Sequence, residues 1–116
     1  MSENILPSIK KVLGVPDSDT NFDDDIIMHI NTCFATLNQI GLGPSEGYSI
    51  SGPSDTWISV FGSDNNLNPI KTYVYLRVKL LFDPPATSFA IAAMEKQIEQ
   101  LEWRLNVYAE GLILNA

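Results

Sequence analysis

Residues 87–108 read TSFAIAAMEKQIEQLEWRLNVY, and this stretch decides the fold class. Its main apolar residues recur at steps of three or four positions, so they form one stripe along a helix of about five turns. The stripe consists of Ile91, Met94, Ile98, Leu101, Leu105 and Tyr108. Phe89 and Trp103 lie off this stripe, on the opposite side of the same helix. A helix that is apolar on two sides needs cover on both, from its own bundle or from a second protein.

The size and charge of the chain narrow the classes of function. Its 116 residues suit one domain with a single core. The net charge of −7 arises in residues 1–66, which carry nine acidic and two basic residues, whereas residues 67–116 carry five of each. DNA-binding domains usually have the opposite sign, because lysine and arginine neutralise phosphates. We therefore expect no sequence-specific DNA binding. An acidic surface repels DNA and so lets it pass without binding. It also attracts a basic partner.

Segments that would direct the chain to a membrane or out of the cell are not found. The N-terminus lacks the basic and apolar regions of a signal peptide. No run approaches the roughly 20 apolar residues that a membrane span needs. A single cysteine, Cys33, excludes an internal disulfide. We expect a soluble protein without a membrane partner, made in the cytoplasm.

The N-terminal third of the chain carries two helical patterns. Apolar spacing predicts a short helix across residues 5–13 and a second helix that stops at Gly41. Thr20 or Asn21 can cap the second helix, and Asp23–Asp25 fill its first turn, where the helix dipole favours negative charge. With the long last helix, the pattern predicts an all-α fold: a bundle of four to five helices with little or no strand.

Two further helices are predicted before the last one. A brief helix around Trp57 follows Ser54 or Asp55, either of which can cap it. The pair Asn68–Pro69 starts a fourth helix, because proline suits the first helical turn. This helix ends before the prolines at 84–85. The short connection makes it an antiparallel neighbour of the last helix.

The C-terminal end of the chain is expected to be a separate tail. Gly111 favours a break, so the last helix should end between Val107 and Glu110. Residues 1–110 then form a single helical domain, and residues 111–116 form a C-terminal tail. Three apolar residues at a chain end either await a partner surface or fold back on the core. They are Leu112, Ile113 and Leu114.

Metal-binding patterns in the chain are incomplete. Asp17–Asn21 resembles the start of a calcium loop, but Phe22 stands where glycine is needed and Met28 where glutamate is needed. His29 and Cys33 lie one helical turn apart, yet zinc takes about four ligands and the chain has one residue of each type. We expect no metal site and no cofactor, and the aspartates are interpreted as helix-capping residues.

Catalytic patterns are incomplete in the same way. Residues 47–51 match the Gly-x-Ser-x-Gly turn of serine hydrolases except at the final glycine. A single histidine makes a serine triad improbable, and no glycine-rich phosphate loop is present. We expect that the protein is not an enzyme and has no catalytic residues.

A small group of basic and aromatic residues has two interpretations. Lys71, Arg77 and Lys79 share the predicted fourth helix with Tyr73 and Tyr75. Together they could contact nucleic acid. The favoured interpretation is that the three bases form salt bridges with the acidic half of the chain.

Three stretches resemble the small head-tail connector, or head-completion adaptor, proteins of long-tailed bacteriophages. They are NFDDDIIMHIN at 21–31, KTYVYLRVKLLFDPP at 71–85 and MEKQIEQLEWRLN at 94–106. The Asp-Pro-Pro junction followed by the Glu-Trp-Arg-Leu-Asn helix is the most specific part, and the resemblance covers nearly the whole chain.

The resemblance implies a structural subunit of the virion at the head-tail interface. Such subunits form a ring below the portal, expected to be twelvefold in the virion, which extends the DNA channel. The implied partners are copies of the chain itself, the portal protein, and the next connector, stopper or tail protein. DNA would pass through the ring without sequence-specific binding. The alternative is a small acidic helical regulator, such as an antirepressor or DNA mimic.

Candidate site residues follow from these patterns together with the resemblance, which implies the portal and the DNA channel. A subunit interface is expected at Trp103, Phe89 and Trp57. Portal docking is expected at Leu112, Ile113 and Leu114. A surface facing the DNA channel or a basic partner is expected at Asp17, Asp19, Asp23, Asp24 and Asp25.

Overall fold

The computed structural model describes residues 3–62 and 67–114, with side chains up to Gly111. Its helices are α1 (Ile5–Leu13), α2 (Asp23–Ile40), α3 (Trp57–Phe61), α4 (Leu67–Phe82) and α5 (Ser88–Leu114). No strand occurs within the described ranges, where one isolated antiparallel bridge joins Asn4 and Thr56. The predicted all-α fold is confirmed.

Two glycines end the first two helices as predicted. Gly14 and Gly41 adopt left-handed backbone angles, with φ of 79° and 114°. Residues with a Cβ rarely adopt these angles, so glycine is favoured at both stops. The Gly41 N–H donates to the carbonyl oxygens of Leu37 and Asn38, which would otherwise lack partners at the helix end.

The start of α2 differs from the prediction. Phe22, rather than Thr20 or Asn21, occupies the cap position, and no side chain caps the helix. The Phe22 ring instead packs edge-to-face on Phe82 at the end of α4, with the ring centres 5.5 Å apart. A tertiary aromatic contact therefore fixes the chain where a hydrogen bond was expected. Asp23–Asp25 do fill the first turn.

The start of α3 also differs. Thr56 caps the helix, and its side chain and that of Ser59 each accept a hydrogen bond from the other residue's backbone N–H. Ser54 and Asp55 were the predicted caps. Asp55 instead accepts a 2.6 Å hydrogen bond from the Tyr48 hydroxyl, which holds the preceding loop.

The last helix is longer than predicted. Thr87 caps it by accepting a hydrogen bond from the Ala90 N–H, and the helix continues through Gly111 to Leu114. The predicted end between Val107 and Glu110 is wrong. A glycine inside a helix costs only about 1 kcal/mol relative to alanine. That cost is too small to stop a 27-residue helix that is packed as far as Ala109, which is 1% exposed.

Helix α4 connects the bundle. It contacts α1, α2 and α5, and it buries Ile70, Tyr73, Val74 and Val78. Helices α4 and α5 are antiparallel. Thr72 lies near Leu101 and Leu76 near Gln97, so the residue numbers rise along α4 as they fall along α5. The central position of α4 leaves α5 as a neighbour that is covered on one side only.

Candidate functional site

The outer face of α5 carries exposed aromatic residues. Phe89 is 85% exposed and Trp103 is 67% exposed. The opposite, striped face packs inward, with Ile98 and Leu105 at 6% and 1% exposed. The bundle therefore covers only one of the two apolar sides that the sequence predicted. Val107, also exposed, continues the outer face five turns beyond Phe89, about 27 Å along the helix.

Trp103 stands at the edge of a groove between α5 and the end of α2. The groove has a volume of about 410 Å³ and is bordered by Gln39 and Ile40 on α2 and by Glu99 and Glu102 on α5. The indole is thus attached to the fold at one edge and presented to solvent over most of its surface. Such a side chain suits a contact with another molecule.

Trp57 does not belong to this surface. It is 1% exposed, and its indole N–H donates a 2.9 Å hydrogen bond to the Ser8 hydroxyl on α1. Its ring stacks on Phe61 and meets Phe34 edge-on. The predicted interface role for Trp57 is wrong, because the side chain is enclosed in the core of its own subunit and joins α3 to α1 and α2.

The acidic cluster lies on the α1–α2 loop and the first turn of α2. Asp17, Asp24 and Asp25 are exposed, whereas Asp19 and Asp23 are partly buried. Three exposed carboxylates at one end of the bundle make a negative surface that a passing polyanion or a basic partner would meet.

A buried lysine organises this cluster. Lys10 is 3% exposed, and its ammonium lies 2.8 Å from Oδ1 of Asp23. It also donates to the backbone carbonyls of Asp19, at 2.8 Å, and Asp17, at 3.3 Å. Lys10 therefore fixes the acidic loop to α1 and α2. Lys10 was not among the predicted site residues, although its spacing from Leu6 and Leu13 puts a charge on the apolar face of α1.

The basic residues of α4 are paired. Lys71 forms a salt bridge with Glu3, Arg77 with Glu102 at 3.1 Å, and Lys79 with Asp83 at 2.8 Å. The predicted pairing with the acidic half of the chain is confirmed for Lys71 and is wrong for Arg77 and Lys79. Both of their partners belong to the neutral half. Arg77 joins α4 to Glu102 on α5, and Lys79 pairs with Asp83 directly after α4.

A hydrogen-bonded triad joins α4 to α5 at the residue before Trp103. The Tyr73 hydroxyl donates to Glu102 at 2.9 Å, and Arg77 donates to both Tyr73 and Glu102. Burial, then the bond to Glu102, raises the pKa of the Tyr73 hydroxyl, which stays neutral and can donate. Glu102 precedes Trp103, so the triad fixes the backbone of α5 against α4 next to this residue. No local pattern in the sequence predicts this long-range contact.

Neither a metal-binding cluster nor a membrane-spanning helix is found among the described residues. Among the described residues, no group of three or more histidine, cysteine, aspartate and glutamate side chains could hold a metal ion. Cys33 is a core residue, 0% exposed, and burial raises the pKa of its thiol to about 12. No helix in the described ranges is long and apolar enough to cross a membrane.

The predicted docking residues at the C-terminus are only partly described. Leu112, Ile113 and Leu114 belong to the backbone of α5, but their side chains lie outside the described residues. Their docking role stays a prediction, as does the division of the chain at residue 110.

Comparison with known proteins identifies the family. The family model for phage connector protein matches residues 5–112, from the start of α1 almost to the end of α5. No curated protein and no solved structure shows significant similarity to the chain. The match spans most of the chain and agrees with the helical fold. The chain therefore belongs to the phage connector protein family, which supports a structural, head-tail connector role in the virion.

Proposed function

We propose that this chain is the subunit of a ring, twelvefold in the virion, that lies below the portal. The ring extends the DNA channel and presents a surface to the next connector, stopper or tail protein. Family membership supports the connector role. The exposure of two aromatic side chains on the outer face of α5 supports self-assembly: Phe89 is 85% exposed and Trp103 is 67% exposed.

These two residues have the size and position of interface anchors. Each aromatic side chain can bury roughly 150–250 Å² on association, and tryptophan is enriched among residues that dominate binding energy. They are 14 positions apart, or about 21 Å along the helix. A contact that covers both therefore extends along about half of α5, and the Tyr73–Arg77–Glu102 triad joins α5 to α4 next to Trp103.

The exposed aspartates and the C-terminal tail are assigned to the DNA channel, or a basic partner, and to the portal. Asp17 is exposed on the α1–α2 loop that Lys10 holds in place, and Asp24 and Asp25 are exposed on the first turn of α2. We assign them to the DNA passage or to a basic partner, since fixed negative charges repel DNA within a Debye length of about 8 Å. Residues 111–116, with Leu112–Leu114, are assigned to the portal.

The test is the size of the protein in solution, alone and with purified portal, by gel filtration with light scattering. Wild type should assemble at high concentration or on the portal, and Trp103→Ala should assemble less while remaining helical. Met28→Ala is the matched control, because Met28 is 57% exposed on a different helix. A wild-type protein that never associates with itself or with the portal would overturn the proposal.

One observation favours a second function. The charge of −7 in residues 1–66 suits a small acidic regulator or DNA mimic. Such a protein would act as a monomer or dimer and would bind a DNA-binding protein rather than a portal. The same size measurement separates the two functions.

A further inference from the structure

We propose that Trp103 of one subunit inserts into the groove between α4 and α5 of a second copy. In this contact, Glu99 of the first subunit lies beside Arg104 of the second. The inference rests on the proposed self-assembly and adds which two faces of the subunit meet.

The receiving groove follows the junction of α4 and α5. It consists of two adjoining hollows of about 370 and 280 Å³, which share Thr72, Leu101 and Arg104. Leu105 lines the first hollow and Leu76 lines the second. Leucine side chains between two antiparallel helices make an apolar slot that suits an aromatic anchor.

The inserting side carries acid, and the receiving side carries a base. Glu99 borders the α2–α5 groove beside Trp103, and its side chain is exposed. Arg104 borders the α4–α5 groove and is also exposed. Within the ranges 3–62 and 67–111, no ion pair is formed by Glu99 or Arg104. Opposite charges at the two edges favour contact between unlike faces.

The two faces also point in different directions. At about 100° per residue, Leu101 in the groove and Trp103 lie roughly 160° apart around α5. One copy can therefore insert its own Trp103 into one neighbour while it receives the tryptophan of another. Such a heterologous contact repeats from subunit to subunit, and it closes into a ring when the rotation permits.

Two variants separate the inserting face from the receiving face. Trp103→Ala removes the inserting side chain and leaves the groove intact. Thr72→Trp fills the groove at the residue that both hollows share, and Thr72 is exposed, so the added ring does not enter the core. Each variant alone should stay monomeric where wild type associates. Their equimolar mixture has one working contact and should stop at a heterodimer of twice 12.8 kDa, measured by light scattering.

A charge exchange tests the edges of the same contact. Glu99→Arg and Arg104→Glu should each weaken association at least tenfold, and the double variant should restore it, because every contact then pairs the exchanged charges. Circular dichroism checks that each variant is folded. If wild type associates but the mixture gives no heterodimer, or the double variant is no better than the single ones, the assignment of faces is wrong. If wild type does not associate even on the portal, the proposed function itself fails.

Discussion

Lys10→Met should lower the free energy of unfolding more than most single substitutions near the acidic loop. The substitution keeps the length of the side chain and removes its charge. It leaves the carboxylate of Asp23 without its cation, and it leaves the carbonyls of Asp17 and Asp19 without their donor. All three groups lie near a side chain that is only 3% exposed.

The size of the effect follows from the partners. Breaking a fully buried ion pair costs about 3–5 kcal/mol. Asp23 is 24% exposed and can be partly rehydrated, which lowers the cost. The two lost carbonyl bonds involve a charged donor and add to it. We expect a loss of about 3 kcal/mol, which for a domain of this size lowers Tm by roughly 12 °C.

Urea and thermal unfolding, followed by circular dichroism, measure this loss. Lys11→Met is the matched control, because Lys11 is the next residue and is exposed. Substitutions at such positions usually change stability by less than about 0.5 kcal/mol. A Lys10→Met protein as stable as the Lys11→Met protein would refute the role given to the buried ammonium.

Three further outcomes are expected. Native Cys33 should resist thiol reagents at pH 8 and react only on unfolding. Because burial raises its folded pKa from 9.0 to about 12, stability should be constant below pH 9 and fall as pH rises from there towards 12, and a flat profile in that range would contradict the assignment. Changing Asp17, Asp24 and Asp25 to asparagine should impair DNA retention or passage in assembled particles without changing the helical content, and normal infectivity would count against a channel role. Deleting residues 111–116 should reduce binding to portal-bearing heads at an almost unchanged Tm, whereas a large fall in Tm would show that the tail is part of the core.

The helices could be predicted because their signals are local. The stripe from Ile91 to Tyr108 repeats every three or four residues, and the glycines at 14 and 41 mark stops that depend on backbone angle alone. The break expected at Gly111 failed because packing of Ala109 outweighs the small cost of one helical glycine.

The contacts that position the surfaces could not be predicted, because they join residues far apart in the chain. Trp57 reaches Ser8 across 49 positions, and Tyr73 reaches Glu102 across 29. Asn31 both donates to and accepts from the backbone of Ile50, which fixes the loop before α3. Periodicity reports which face of a helix is apolar, but not whether a second helix covers it.

The same limit explains the two tryptophans. Both are large apolar residues, and the sequence alone does not distinguish which of them lies at an interface. The fold encloses Trp57 of α3 against α1 and α2, whereas the end of α2 borders Trp103 at one edge only and leaves it 67% exposed. Their different roles follow from the arrangement of the helices and not from their neighbours in sequence.

Native mass spectrometry of the isolated portal, titrated with this chain, tests ring formation. We expect a complex that carries twelve copies of the 12.8 kDa subunit, with few intermediates because each bound copy presents a face to the next. Free portal beside monomeric subunit at every ratio, or a portal that carries a single copy, would show that the chain does not form a ring there.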